Sequence, residues 1–504
     1  MLASSMLTGV GVLGAGAVLY PSAALSADYA AGGGVINAPS GNATAVGSGA
    51  TTTGSDATAY GAGSIASGDG ATATGHVSQA KGISATATGE SSIANGAYAT
   101  STGQNSFANG TFATATGQVS TADGTNATAT GQTSDANGTN ATATGQASFA
   151  NGTNATATGQ ASTANGADAT ATGSLSKANG FDATATGIQI SANGTFTTAT
   201  GAQSVAHGDS ATATGQGSFA NGDFATATGQ GSNANGTNAT ATGQGSVANG
   251  VNATATGSLS NANGTNATAT GAQSVAHGDS ATAIGQGSFA NGDFATATGQ
   301  GSIANGLTAS AFGRNSNATG DATTAIGQGS TASATGATAV GAGATATFAN
   351  STAIGAGATT SAPNQVSIGT STNTYRMSGL TSAASLAAQS GPTQVVTTDA
   401  AGHLAAASFS GADISTLQSN VSTLQTQMRQ AFEGTAIAIA MGGSALPSDK
   451  RFAVSTNWGT FRGQNAMSLG AQMRLNQYVV LNGGVAAGFA QGGVGGRAGV
   501  TVAW

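Results

Sequence analysis

Between residues 43 and 369 small apolar and polar residues alternate in short bursts, and each burst stops at a glycine. Glycine stands at every fourteenth position from Gly47 to Gly369 without a gap, which makes 24 turns. A second glycine follows seven residues later in 20 of them, from Gly54 to Gly320. Residues 141–154 are typical: Ala-Thr-Ala-Thr-Gly-Gln-Ala-Ser-Phe-Ala-Asn-Gly-Thr-Asn. Alternation with period 2 predicts strands, and fixed self-similarity predicts a solenoid whose units bury their faces only against neighbours. Asn-Gly predicts a turn, because both residues tolerate positive φ. Two strands and two turns per unit form one narrow coil. At about 4.8 Å per strand layer, 24 coils give a rod on the order of 110 Å.

The alternation also assigns faces. Ala141, Ala143, Ser148 and Ala150 point inward, where only small side chains fit, with Ile190 an exception at the serine position. The residue between serine and alanine varies freely (Phe107, Thr121, Asp135, Phe149, Lys177), which marks it as outward-facing. Thr142 and Thr144 form a ladder on the other side of the first strand. The Thr144 position becomes Val46 and Tyr60 near the start, and Ile284, Phe312, Ile326, Val340, Ile354 and Ile368 near the finish. Such side chains are too large for the coil interior, so this ladder is read as a subunit interface. A thin coil filled with Ala and Ser buries little apolar surface and gains from association.

Past Gly369 the pattern changes twice. Residues 370–410 form a connector of mixed composition. Then Ile414, Leu417, Val421, Leu424, Met428 and Ala431 follow 3-4-3-4-3 spacing, a coiled-coil seam. β-Branched residues at a with Leu at d lean by themselves towards a dimer. From residue 450 onward, four segments alternate again. Phe452, Val454, Thr456 and Trp458 share a face of the first, and Met467, Leu469, Ala471 and Met473 a face of the second. Val479, Leu481, Val485, Ala487 and Phe489 line the third, and Ala498, Val500, Val502 and Trp504 the fourth. Ser455, Asn457, Ser468, Gln472, Asn482, Gly499 and Thr501 face the other way. Segments of about ten residues, apolar outside and small or polar inside, are the mark of a membrane β-barrel. Four strands cannot close one, since an open sheet would expose unpaired backbone to lipid. Twelve strands from three chains can, and this overrules the dimer preference of the coil.

Composition narrows the class. Charged residues are only 5% of the chain and glycine numbers 82, while proline numbers 5 and no glycine recurs every third residue; neither disorder nor collagen fits. Cysteine is absent, which excludes disulfides and thiolate metal sites. Residues 42–361 carry three cations (Lys81, Lys177, Arg314) against twelve acidic residues, so this region offers nothing to nucleic acid. The last 74 residues carry five cations against Glu433 and Asp449. Residues 1–30 are apolar and glycine-rich with small residues near Ala24 and Ala27, which predicts an export signal. No Lys or Arg precedes Lys81, so the positive start of that signal is expected upstream of Met1.

The 14-residue units ending in Ala-Val-Gly or Ala-Ile-Gly, the short coil and the C-terminal segment together resemble the trimeric autotransporter adhesins, the YadA-like group. Residues 431–446, the run Gly459-Thr460-Phe461-Arg462-Gly463-Gln464-Asn465-Ala466 and the final Trp504 carry the more specific half of that resemblance. It covers residues 43–369 and about 411–504. It implies a mainly β chain: a trimeric left-handed parallel β-roll head, a short trimeric coiled-coil stalk and a 12-stranded trimeric β-barrel with four strands per chain. It also implies that Trp504 is read by the outer-membrane insertion machinery. The family usually has an aliphatic residue where most middle turns here have Thr. The expected organisation is a signal at 1–30, a linker at 31–42, the head at 43–369, a neck at 370–410, stalk and pore helix at 411–445, and the anchor at 446–504. Expected partners are two further copies of the chain, outer-membrane lipid, the insertion machinery and a surface or matrix ligand that the residues do not specify. The head would thus be displayed on the cell surface for attachment or autoagglutination.

No residue constellation points to catalysis or a cofactor. His207-Gly208-Asp209-Ser210 and its copy His277-Gly278-Asp279-Ser280 hold the residue types of a hydrolytic triad, but neighbours on one turn cannot adopt its geometry. They arise because blocks 201–232 and 271–302 are identical except at Thr214 and Ile284, five whole turns apart. Gly-x-Gly strings such as Gly341-Ala342-Gly343 have no following helix to bind phosphate. The candidate adhesive residues are paired aromatics on the variable positions: Phe107 with Phe112, Phe219 with Phe224, and Phe289 with Phe294. Two other readings stand beside the adhesin: an ice- or crystal-binding solenoid using the Thr-x-Thr ladder, and a passive surface coat.

Overall fold

The structure, a computed structural model, describes residues 28–38, 41–391 and 393–504. The expected export signal lies almost wholly outside them. The chain divides near residue 373 into two units, a repetitive head and a C-terminal unit.

In the head each 14-residue unit closes one coil from a three-residue and a two-residue strand, such as Thr142–Thr144 and Phe149–Ala150. Each strand pairs in parallel with its equivalent fourteen residues on: Thr142 with Thr156, Ala143 with Ala157, Phe149 with Thr163. Two parallel sheets therefore run the length of the head, bonded by contacts such as Thr142 N–H to the Ala155 carbonyl, 2.8 Å. Ala141, Ala143, Ser148 and Ala150 are fully buried between them, as alternation requires. Most buried serine hydroxyls cost little because they donate locally, as Ser148 Oγ does to the Gly145 carbonyl at 2.9 Å, whereas Thr52 Oγ1 and Ser204 Oγ have no partner. Ile190, 1% exposed, is the largest side chain inside the head, and Gly187 leaves room for its Cδ1.

The Asn-Gly turn differs from the sequence expectation. Neither Asn151 nor Gly152 is left-handed; that conformation falls on Asn154 (φ 57) and, at the opposite turn, on Ala147 (φ 55). Gly152 is required by stacking: a Cβ there would lie 1.9 Å from the Gly166 carbonyl oxygen of the next coil. Asn recurs two residues after the glycine because it tolerates the left-handed region better than most residues.

The head also starts earlier than the expected linker at 31–42 allows. Tyr29–Ala31 pairs with Thr44–Val46, and Val35–Ile36 with Thr51–Thr52. Tyr29 stands opposite Thr44 and Val35 opposite Thr51, so this coil contains one or two extra residues that hide it from a strict period. The last repeat strand is Val366–Ile368, paired with Thr352–Ile354.

In the C-terminal unit the neck contains a helix, Ala383–Ala388, and an antiparallel hairpin, Gln394–Thr398 with Leu404–Ser410. Asp399 closes that hairpin by accepting from the Ala401 and His403 amides and from His403 Nδ1. The His403 bonds hold the Asp399 carboxyl below the usual carboxylate range. The stalk helix, Gly411–Met441, begins at a capping box in which Ser410 and Asp413 bond reciprocally. Four antiparallel strands follow in sequential order: Phe452–Phe461, Gln464–Asn476, Val479–Gly488 and Val494–Val502.

Candidate functional site

Each outer face of the head is built by stacking one repeat position on itself. The threonine face takes shape first: Thr142 and Thr144 lie outside while Ala143 points in, so the flanking threonines form two parallel ladders. Towards the ends of the head this face carries exposed Tyr60, Ile284, Phe312, Ile326 and Ile354, with Ile326 42% exposed. An apolar ladder standing uncovered on a single chain has the form of an unpartnered interface.

Amides occupy the two turns. Gln104, Gln118, Gln132, Gln146 and Gln160 form one ladder, in which the Nε2 of each of the last four donates to the Oε1 one coil earlier. Asn137, Asn151, Asn165, Asn179 and Asn193 form a second, and Asn126, Asn140, Asn154 and Asp168 a third, with spacings of 2.8 to 3.3 Å throughout. Amide ladders of this kind stabilise stacked strands. The sequence reading missed them, although the 14-residue period already places these amides above one another.

The candidate aromatics divide into two environments. Phe107, Phe219 and Phe289 lie in the two-residue strands, the first half-buried and the others exposed. Phe112, Phe224 and Phe294 occupy the left-handed turn position at φ 57 to 59, and Phe294 is 62% exposed. The rings in contact differ from the pairs expected. Tyr98 and Phe112, one coil apart, stack at 5.0 Å, and Phe181 meets Phe196 edge to face at 5.5 Å. His207 and Asp209 are not paired: the His207 amide bonds the Ala220 carbonyl, and Asp209 accepts from the Thr195 amide. Burial pushes the Asp135 carboxyl up, partly offset by a hydrogen bond with Asn137, while the Asp123 charge adds to the rise. Among the described residues no group of His, Asp and Glu is arranged to hold a metal.

The four-stranded sheet separates its faces as the alternation predicts. Val454, Trp458, Met467, Leu469, Val485 and Val500 are exposed on one side. Aromatics cluster at both ends of that side, Trp458 and Phe489 at one and Phe452, Tyr478 and Trp504 at the other, as in the girdles of membrane barrels. Trp504 lies beyond the last strand and is fully exposed. The end of the stalk helix and the segment after it cover the opposite face. Ser468 Oγ donates to the Ala440 carbonyl at 2.6 Å, Ser455 Oγ to Ser444 Oγ at 2.9 Å, and Arg474 to the Ser448 carbonyl. Glycines allow this approach: a Cβ at Gly459 would meet the Ala436 carbonyl at 2.1 Å, and one at Gly495 would meet Ile437 Cγ2 at 2.6 Å. The first and fourth strands each have a single neighbour, leaving two open edges. The seam residues Ile414, Leu417, Val421, Leu424 and Met428 are likewise exposed on the single chain. Among the described residues no helix is long and apolar enough to cross a membrane; the strands are the spanning candidates.

Comparison with known families agrees with this division. Residues 444–504 match the YadA-like membrane anchor domain. The YadA head domain repeat matches again and again between residues 38 and 358, over more than half of the chain. The chain belongs to the YadA-like trimeric autotransporter adhesins. The family is one of structural adhesins rather than an enzyme class, and its anchor domain implies outer-membrane anchoring with the head at the surface. Among solved structures, the adhesin is similar to the crystal structure of the collagen-binding domain of the Yersinia adhesin YadA. That similarity is 19% in sequence identity, spans 42% of this chain and 72% of that one, and has a TM-score of 0.11. No curated protein matches the sequence.

Proposed function

We propose that three copies of the adhesin close a 12-stranded barrel in the outer membrane, export the head and display it for attachment to a surface. The open edges of a sheet with one apolar face support this reading: lipid tolerates no unpaired strand edge, and only further copies of the same sheet supply the missing neighbours. Trp504, free beyond the last strand, is the proposed signal for the insertion machinery. The exposed stalk seam and the threonine–isoleucine ladder are the proposed contacts among the three copies. In outer-membrane extracts of cells making the full chain behind an export signal, the unheated adhesin should migrate near three times its 47.1 kDa monomer mass and collapse to monomer on heating. A soluble monomer would overturn both barrel and trimer.

For attachment itself the supporting observation is energetic. Phe112, Phe224 and Phe294 sit exposed in a left-handed conformation that costs on the order of 1 kcal/mol more than Asn would there. For Phe224 and Phe294 that cost brings little burial in return, and Phe112 stays exposed even though it stacks on Tyr98, as expected when a residue is kept for what it touches outside. Replacing Phe107, Phe112, Phe219, Phe224, Phe289 and Phe294 together by Ser should lower attachment to test surfaces severalfold while head display, followed with an antibody, is unchanged. Full attachment by displayed variant heads would remove the aromatics from the adhesive surface.

A further inference from the structure

The stalk helix buries four residues against the anchor sheet: Glu433, Ala436, Ile437 and Ala440. Their spacing places them on one helical face. Three of them suit a glycine-lined wall, but Glu433 is a carboxylate only 1% exposed. The wall is shaped to receive it. Ala490 and Gln491 amides donate to its Oε1 at 2.8 and 2.9 Å, and the Gly493 amide to its Oε2 at 3.3 Å. All three belong to the turn joining the third and fourth strands, 57 to 60 residues further along the chain. Successive backbone amides aimed at one point form an anion nest. Glycines clear the space: a Cβ at Gly488 would lie 2.1 Å from Glu433 Cδ, and one at Gly493 would lie 3.3 Å from Oε2. Among the described residues no Lys or Arg pairs with Glu433, so amides alone hold the charge.

We propose that Glu433 is the positioning residue that locks the helix into the barrel once the head has passed through, fixing its depth and rotation and so sealing the lumen. The proposal rests on the barrel reading above. Alanine against glycine sets how closely the two elements approach, while Ile437 and the Ser468–Ala440 bond hold the helix only by contacts that a small shift could exchange for similar ones. A buried carboxylate matched to one nest adds a much steeper restraint on depth and rotation, since any shift leaves a charge desolvated without partners. The lock also orders events. While the chain is still threading, the helix end is not seated and Glu433 stays hydrated; only in the final register can it exchange water for the three amides. This last contact joins the exported part of the chain to the turn between the last two strands.

The test uses the full chain in outer membranes, with wild type, E433Q, E433A, G488A and the double variant E433A/G488A. The readouts are head display, the temperature at which the unheated oligomer dissociates, and entry of a large hydrophilic antibiotic that intact cells exclude. Glutamine keeps the shape of Glu433 but loses the charge and one of the two acceptor oxygens. E433Q should therefore display its head normally, dissociate at a lower temperature and admit the antibiotic. G488A should show a stronger defect, because its methyl group displaces the carboxylate. The double variant should be no worse than E433A alone, since the methyl group then occupies vacated space. Wild-type tightness and dissociation temperature in E433Q would overturn the lock, and so would a G488A defect that persists undiminished beside E433A. A wild-type chain that forms no outer-membrane oligomer would overturn the barrel itself.

Discussion

Replacing Gly152 by Ala should open the head at a single coil. The added methyl carbon would lie 1.9 Å from the Gly166 carbonyl oxygen and 2.4 Å from its carbon, both backbone atoms that cannot swing aside. The coils must separate locally, which disrupts the Asn151–Asn165 amide bond of 2.8 Å and the 2.9 Å bond from the Asn151 amide to the Ala164 carbonyl. Forced overpacking of this kind costs about 1–3 kcal/mol and sometimes more. A solenoid's stability is close to a sum of nearest-neighbour terms, so the damage should stay at that coil rather than unfold the head. Limited proteolysis of displayed heads should yield a cut near residues 152–166 in the variant and none in wild type. Gly231→Ala is the matched control. Gly231 has φ 63 and nothing within 4 Å of its Cβ direction, and Ala147 and Ala161 already occupy that position in other coils. Gly152→Asn separates the two explanations for the glycine. If turn conformation were the reason, Asn would be accepted; because the obstacle is any Cβ, Asn should be cut as readily as Ala. An uncut Gly152→Asn head would refute the stacking argument.

That glycine also marks how far the sequence could be read. The period, the buried Ala and Ser positions and the two-faced anchor strands were legible because each depends on which residues repeat or alternate. Side-chain direction follows from that alone in a strand. What the pattern does not contain is distance between coils. Asn-Gly therefore suggested two left-handed residues, whereas Gly152 is ordinary in φ and constrained by Gly166 fourteen residues away. The aromatics show the same limit. Phe107 and Phe112 are close in the chain, yet Phe112 stacks on Tyr98, fourteen residues back, a pairing the period itself could have found. The coil at Tyr29–Ile36 escaped because its longer turns break the period. Glu433 had no local signal at all: its partners follow 57 to 60 residues later in an unremarkable glycine-rich turn.

Leu469→Arg decides whether the exposed face of the anchor sheet meets lipid or water. Leu469 lies well inside the second strand, flanked across the sheet by Thr456 and Val485, and its side chain is exposed on the face away from the helix. If that face were bathed in water, an exposed Leu→Arg exchange would change stability by no more than about 0.5 kcal/mol. On the lipid side of a barrel near the bilayer centre, each Arg costs about 2–4 kcal/mol. In the proposed trimer symmetry repeats that cost three times around one barrel, since every copy carries the substitution. The expected result is a sharp fall in outer-membrane adhesin and loss of the oligomer from unheated extracts, while Leu469→Met behaves as wild type because it keeps volume and polarity. Both quantities are read from one gel of unheated and heated membrane extracts. If the Arg variant accumulates in the membrane with an unchanged dissociation temperature, Leu469 does not face lipid, and the apolar face must be covered by protein. In the other case, the four strands of one chain span the bilayer with the face the alternation assigned to lipid, and their open edges require the neighbouring copies.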